Sequence, residues 1–208
     1  MQLTRALMAM MLLPAAAGCA SNGGEVEAPR SSTGGFWSRA LGTDNVPNSG
    51  PCPLMGVLYD SARLVEFQGD GRQRYGNVAF TGELQGVRGL CRYVGEDPIV
   101  MSIEIDMAFG RGPAASGDTR TYTYWVAVAR RGAAPIEKQF YTVDVRFPNG
   151  QDVMVATQAI ETIVIPRANA DISGENFEIL VGFELTPEQL AFNRDGRRFR
   201  VNAPEASN

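Results

Sequence analysis

The stretch IVMSIEIDMAF, residues 99–109, decides the fold class of this chain. Its large apolar side chains occupy every second position and alternate with smaller or charged ones. Because successive side chains of a β-strand point to opposite faces, this period of two predicts a strand with one buried and one exposed face. Such strands are typical of antiparallel sheets that pack one face against a core.

The same alternation recurs along the chain and predicts most of the remaining strands. Clear patterns cover residues 121–130, 141–147 and 177–185, and weaker ones cover 55–67, 78–84, 87–94 and 153–165. We expect a bend at Asp60-Ser61 inside the first of the weaker ones.

Turn residues separate these segments. The strongest hairpin signal is Phe147-Pro148-Asn149-Gly150-Gln151, and Gln85-Gly86 favours either a tight hairpin or a bulge. Seven or eight strands without a long helical pattern predict an all-β fold, an antiparallel β-sandwich of the fibronectin-III or immunoglobulin-like type. A small barrel is the alternative.

One short helix is predicted near the C-terminus. Thr186-Pro187-Glu188-Gln189 places threonine at the N-cap, proline at the first helical position and glutamine at N3, which is the capping-box pattern. We expect Leu190 or Phe192 to enter the core at one end of the sandwich. The sandwich domain is therefore predicted to span residues 54–194, followed by a flexible polar tail, 195–208.

The N-terminus has the layout of a secretory signal peptide. Arg5 precedes an apolar run at residues 6–13, and the small residues Ala16-Ala17-Gly18 stand directly before Cys19. The apolar run is too short for a permanent membrane span, which needs about 20 residues. An ordinary secretory signal peptide with an incidental Cys19 is one interpretation of this layout.

The sequence Ala16-Ala17-Gly18-Cys19 also resembles the lipobox of bacterial lipoproteins. The resemblance implies a signal peptide at residues 1–18, a lipidated Cys19 and stable anchoring by two or three acyl chains. Since Ala20 and not aspartate follows, it further implies sorting to the outer membrane, facing the periplasm, with the inner membrane as the alternative. The whole chain, and the segment 181–190 in particular, resembles Gram-negative envelope lipoproteins with no assigned activity, so no catalytic residue is implied.

Residues 19–53 are expected to form the lipidated cysteine and a flexible tether, because they are rich in Gly, Ser, Asn and Pro. One apolar island interrupts this tether at residues 36–41. Its aromatic residues Phe36 and Trp37 suggest either an interaction motif or a turn that folds back onto an open edge of the domain.

The cysteine count predicts one disulfide. The chain has three cysteines, and if Cys19 carries lipid, Cys52 and Cys91 remain to pair in an oxidising compartment. Such a link stabilises the fold by roughly 4 kcal/mol. Two buried free thiols are the alternative.

Composition excludes several classes of function. The chain carries 19 basic and 23 acidic side chains, and its net charge of −4 gives no electrostatic support for nucleic-acid binding. It contains no histidine, which excludes Ser-His-Asp and Cys-His catalysis and His-ligated zinc. The glycine-rich loop at 110–118 lacks the lysine and the following helix of a phosphate-binding loop. We therefore predict no cofactor and no metal site.

Two sets of residues could still carry chemistry on the sheets. Glu104 and Asp106 share one strand face, and Asp144 could join them to supply the carboxylate pair of a glycosidase; solvated surface is the more ordinary interpretation. Aromatic residues on one strand could form a platform for sugar or peptide, although such residues more often pack in a core. They are Tyr122, Tyr124 and Trp125.

A basic cluster after the predicted helix, Arg197, Arg198 and Arg200, suggests contact with anionic lipid headgroups, lipopolysaccharide or an acidic partner; a solvated tail is the alternative. We expect a non-enzymatic, lipid-anchored interaction or structural module of the cell envelope, with a protein partner. The alternatives are a carbohydrate- or peptidoglycan-binding module and a carboxylate-dependent hydrolase.

Overall fold

Eight strands form two four-stranded sheets in the computed structural model, which describes residues 48–70 and 72–198. Sheet A has the order β1-β8-β5-β6 and sheet B the order β2-β3-β4-β7; all neighbours are antiparallel except the parallel pair β1–β8. The strands are β1 (Leu54–Val57), β2 (Arg63–Phe67), β3 (Val78–Arg92), β4 (Ile99–Arg111), β5 (Thr119–Arg130), β6 (Pro135–Arg146), β7 (Val153–Ile165) and β8 (Phe177–Phe183).

The alternating stretch at 99–109 forms β4, a central strand of sheet B. Its odd-numbered apolar side chains are buried and belong to one cluster that includes residues of both sheets. Phe109 of sheet B lies 4.5 Å from Tyr122 of sheet A, measured between ring centroids. The two sheets therefore pack face to face, and the predicted all-β sandwich is confirmed.

The strand predicted at 55–67 is two strands in different sheets. A 3₁₀ turn, Tyr59–Ser61, separates β1 in sheet A from β2 in sheet B. The expected bend at Asp60-Ser61 is thus the point where the chain crosses between the sheets. Both halves show the same apolar pattern because both face the same core.

The hairpin predicted at residues 147–151 is wrong, and of the two alternatives at Gln85-Gly86 the bulge is the one observed. The chain runs through Gln85-Gly86 as one strand, β3, and the glycine marks a bulge in its pairing with β4. At residues 148–151 the amide of Gln151 donates to the carbonyl of Pro148 over 2.9 Å, but this turn joins β6 of sheet A to β7 of sheet B. A turn sequence specifies a local reversal of the chain and does not specify which sheet receives the next strand.

The strand order does not confirm an immunoglobulin-like or fibronectin-III-like connectivity. In an immunoglobulin constant-type sandwich the first strand lies beside the second. Here β1 lies beside β8, and the consecutive strands β2, β3 and β4 share one sheet. Within residues 48–70 and 72–198 no strand pairing joins sheet A to sheet B, so the small-barrel alternative is not observed.

The predicted disulfide is present. Cys52 and Cys91 are bonded, with their Cα atoms 5.7 Å apart, and link the residues before β1 to the end of β3. The Tyr93 hydroxyl reinforces this end of the sandwich, because it donates to the Pro51 carbonyl over 2.7 Å and accepts from the Gly174 amide over 3.0 Å.

The predicted helix is also present, as α1 (Pro187–Arg194). The capping box is formed: the Thr186 hydroxyl accepts from the Gln189 amide, and the Gln189 side chain accepts from the Thr186 amide. Phe192 is the buried apolar residue of α1, and it packs with Val65 and Val78 in a small cluster beside the main core. The helix therefore covers β2.

Candidate functional site

A groove of about 590 Å³ lies on the outer face of sheet B. Its floor is made by β3 and β4, where Thr81 pairs with Gly110 and Glu83 pairs with Ala108. Three of these four residues have a small side chain or none, so the outer surface of the sheet is recessed at this point. Binding sites in proteins are commonly clefts of about 300–1,000 Å³, and this groove has that size.

One wall of the groove is basic. Arg63 comes from β2, and Arg197 and Arg198 follow α1. Arg63 lies 3.4 Å from the Glu83 carboxylate, whereas Arg198 donates to the Tyr59 hydroxyl over 3.2 Å. The groove is lined by three guanidinium groups and one carboxylate, so its net charge is positive, whereas the net charge of the whole chain is −4. The wall is suited to bind anions.

The pKa of Tyr59 reflects this local excess of positive charge. The hydrogen bond from Arg198 lowers the pKa of the exposed Tyr59 hydroxyl below its ordinary value, and Arg63 acts in the same direction. Neighbouring cations attract the negative charge of a phenolate oxygen, as they attract that of a carboxylate. The positions around Tyr59 therefore favour a negatively charged oxygen.

The opposite wall is apolar. Val153 of β7 lines the groove, and Val155 follows it on the same face of the strand. Val155 is 71% exposed. The groove thus offers cations on one side and aliphatic surface on the other, and it suits an anionic ligand that also carries apolar groups.

No protein-family model, curated protein or solved structure matches this chain. The function must therefore be inferred from the geometry of the chain itself.

The secondary structure explains how the sequence-predicted arginines reach the groove. Asn193, in the last turn of α1, donates to the carbonyls of Asp60 and Arg63, over 2.8 Å in each case. These bonds fix the end of the helix against β2, and the following residues Arg197 and Arg198 then lie at the groove. Arg200, Cys19, Phe36 and Trp37 lie outside the residues that the structure describes.

The three candidate carboxylates do not form one site. Glu104 and Asp106 lie on sheet B and are both bound by Arg88, with 2.7 Å between Arg88 and Glu104. Asp144 lies on β6 of sheet A, so the expectation that it joins them is wrong. A hydrogen bond from Thr157, followed by the interaction with Arg88, holds the pKa of Asp106 below its ordinary value. Asp106 is thereby kept ionised, which suits a surface ion pair better than a general acid.

The candidate aromatic platform is part of the interior. Tyr122 and Tyr124 belong to the main core cluster, and Trp125 is only 7% exposed. The Trp125 indole donates to the Phe183 carbonyl over 3.0 Å, and the Lys138 ammonium lies 4.2 Å from its ring centroid. Burial raises the pKa of Tyr124 to about 12. These rings are not available to stack on a sugar.

Residues 48–70 and 72–198 contain no group of three or more His, Cys, Asp or Glu residues that could hold a metal ion. The same residues contain no helix that is long and apolar enough to cross a membrane.

Sequence reasoning found one part of the groove and missed the rest. Arg197 and Arg198 stand close together in the chain and were visible as a basic cluster. Arg63, Glu83 and Val153 are far apart in sequence and meet only because β2, β3, β4 and β7 are neighbours in this order. No local signal carries that information.

Proposed function

We propose that this protein is a non-enzymatic interaction module of the bacterial cell envelope, anchored to the outer membrane by a lipid on Cys19 and facing the periplasm. Its groove on sheet B binds an acidic segment of a partner protein. The observation that carries the proposal is the wall of three guanidinium groups, Arg63, Arg197 and Arg198, opposite the apolar wall at Val153.

The chemistry of the two walls supports an acidic peptide as the ligand. Arginine binds carboxylates through two parallel hydrogen bonds, and hydrogen bonds to charged groups contribute about 1.5–3 kcal/mol each. An open groove floored by two strands leaves room for an extended segment whose apolar side chains contact valine. The disulfide supports an extracytoplasmic location, because such bonds persist in oxidising compartments.

The groove is tested with a fluorescein-labelled octaglutamate peptide and the full-length, lipidated protein in detergent. The double variant Arg197→Glu/Arg198→Glu is expected to weaken binding roughly 100-fold, since it removes two charge-assisted contacts. The matched control is Arg130→Glu/Arg131→Glu, which makes the same charge change at exposed positions that do not line the groove. We expect its affinity to stay within about threefold of the wild type.

Equal losses of affinity for octaglutamate in both double variants would mean that net charge alone drives binding. This result would overturn the groove as the binding site. Absence of binding to octaglutamate would overturn the acidic peptide as the ligand. If vesicles containing phosphatidylglycerol bound in its place, with the same dependence on Arg197 and Arg198, an anionic lipid would replace the peptide.

The anchor has a separate test. In Gram-negative cells Cys19→Ser is expected to move the protein from the membrane fraction to the soluble periplasmic fraction. Cys52→Ser/Cys91→Ser serves as the control and should remain in the membrane fraction. A Cys19→Ser protein that stays bound to the membrane contradicts the lipid anchor, and wild-type protein in the inner-membrane fraction contradicts the outer-membrane location.

A further inference from the structure

The two sheets have four edge strands, and three of them are protected. An edge strand exposes unpaired N–H and C=O groups, and proteins usually shorten it, cover it or place charges and proline on it. β1 has only four residues. β2 is covered by α1, because Gln189 donates to the Val65 carbonyl over 3.3 Å and Asn193 donates to the Arg63 carbonyl over 2.8 Å. β6 begins with Pro135 and carries charges at residues 137, 138, 144 and 146.

The fourth edge strand, β7, has none of these features. It is 13 residues long, and Glu161 is its only charged residue. A bulge in the pairing with β4, between Ile160 and Ile163, leaves an uninterrupted ladder over residues 153–160. This eight-residue segment, VMVATQAI, contains no charge, proline or glycine. Among residues 48–70 and 72–198 nothing pairs with the free side of β7, so this long and neutral edge favours pairing with another strand.

The charges near β7 show which strand could pair with it. Asp152, just before the strand, is bound by Arg111 over 2.9 Å. Glu104 and Asp106, on the neighbouring strand, are both bound by Arg88. Arg88 offsets one of the two carboxylates on the neighbouring strand, and the segment 153–160 itself carries no charge. Two copies of this segment can therefore pair without like charges directly opposite each other. A strongly charged partner strand would find no complementary charge on residues 153–160.

We propose that β7 pairs with β7 of a second copy of this chain. The strands run antiparallel about a two-fold axis perpendicular to sheet B that passes near Ala156, and they overlap over residues 152–160 of each copy. The two four-stranded B sheets then form one continuous sheet of eight strands. In this register Val155 stands opposite Thr157 of the second copy, and Val153 opposite Ala159.

This proposal does not rest on the groove, and its readout is mass and not ligand binding. Sedimentation of the full-length, lipidated protein in a density-matched detergent is expected to give a dimer. The variant Val155→Lys changes a side chain that is 71% exposed, so its effect on folding is small. In the dimer the two introduced lysines would occupy diagonal positions across the paired strands, about 7–8 Å apart at the backbone, so two like charges would meet at the seam. We expect the dissociation constant of the dimer to rise by more than about tenfold.

The matched control is Val164→Lys, the same substitution on the same strand but beyond the bulge. Val164 is 51% exposed and lies outside the proposed overlap. The dissociation constant of the Val164→Lys dimer should equal that of the wild-type dimer. A monomeric wild type, an unaffected Val155→Lys dimer or equal weakening by both variants would each overturn the proposal.

The register has its own test. Cysteines introduced together by Val155→Cys and Thr157→Cys face each other across the proposed seam, where opposite Cβ atoms are about 4.5–5.5 Å apart. Mild oxidation is expected to give a covalent dimer on a non-reducing gel, and the double substitution Val164→Cys/Thr162→Cys should give none. A covalent dimer from the control pair alone would overturn the proposed register.

Discussion

Asn193 is expected to be the main link between α1 and the sheets. Its side chain is buried, and its amide nitrogen donates to the carbonyls of Asp60 and Arg63, over 2.8 Å in each case. Asn193→Ala removes both donors and leaves two carbonyls without their partner. At about 1–1.5 kcal/mol for each lost hydrogen bond, we expect the free energy of unfolding to fall by roughly 2–3 kcal/mol.

The neighbouring residue Arg194 supplies the matched control. Its guanidinium lies 2.9 Å from the Asp60 carboxylate, but its side chain is 62% exposed. Exposed ion pairs contribute about 0–1 kcal/mol, so Arg194→Ala should cost less than about 1 kcal/mol. Both losses of unfolding free energy are to be measured by urea unfolding followed by tryptophan fluorescence. An Asn193→Ala cost no larger than that of Arg194→Ala would refute the assignment.

Three further predictions test other parts of the structure. Cys52→Ser/Cys91→Ser removes the 39-residue loop closure, and the free energy of unfolding measured in urea should fall by roughly 4 kcal/mol; a loss below about 1 kcal/mol would contradict its stabilising role. Gly182→Ala places a Cβ atom 2.3 Å from the Trp125 ring and 2.7 Å from the Ser61 Cβ atom, so calorimetry should show a loss of about 1–3 kcal/mol, whereas Gly86→Ala, which has open space, should tolerate the methyl group. Thr157→Val removes the principal hydrogen bond that lowers the pKa of Asp106, so the pKa measured by NMR should rise toward its ordinary value. Because the folded pKa is depressed, this interaction stabilises the wild type above about pH 4 and is lost as the pH falls through the folded pKa; an unchanged pKa in the variant would contradict this cause.

Local patterns predicted the elements whose formation depends on local chemistry. The strict alternation in β4 and β8 gave correct strands because one face of each is buried in the core. The capping box at Thr186 and Gln189 located the start of α1, since the cap is formed by residues that are close in sequence. Cysteine counting predicted the disulfide for a similar reason, because few pairings were available.

Other elements depend on contacts that no local pattern contains. β6 begins at Pro135, six residues before the predicted start. The sequence pattern misses this first half because it is exposed on both faces and shows no alternation of burial. The division of residues 55–67 between two sheets and the passage of β3 through Gly86 also depend on which strands become neighbours. The groove has the same origin, so only its arginine cluster could be found in the sequence.

The position of the Cys52–Cys91 bond also determines how the fold would respond to mechanical load. A pull on the N-terminal residues reaches Cys52 before it reaches β1, and the bond transfers it to the end of β3. β3 is 15 residues long and pairs with β4 as far as Arg92, whereas β1 is a four-residue edge strand. While the disulfide is intact, force therefore enters a long strand that is hydrogen-bonded to the central strand β4. After reduction the same force would peel β1 away from β8, one hydrogen bond at a time.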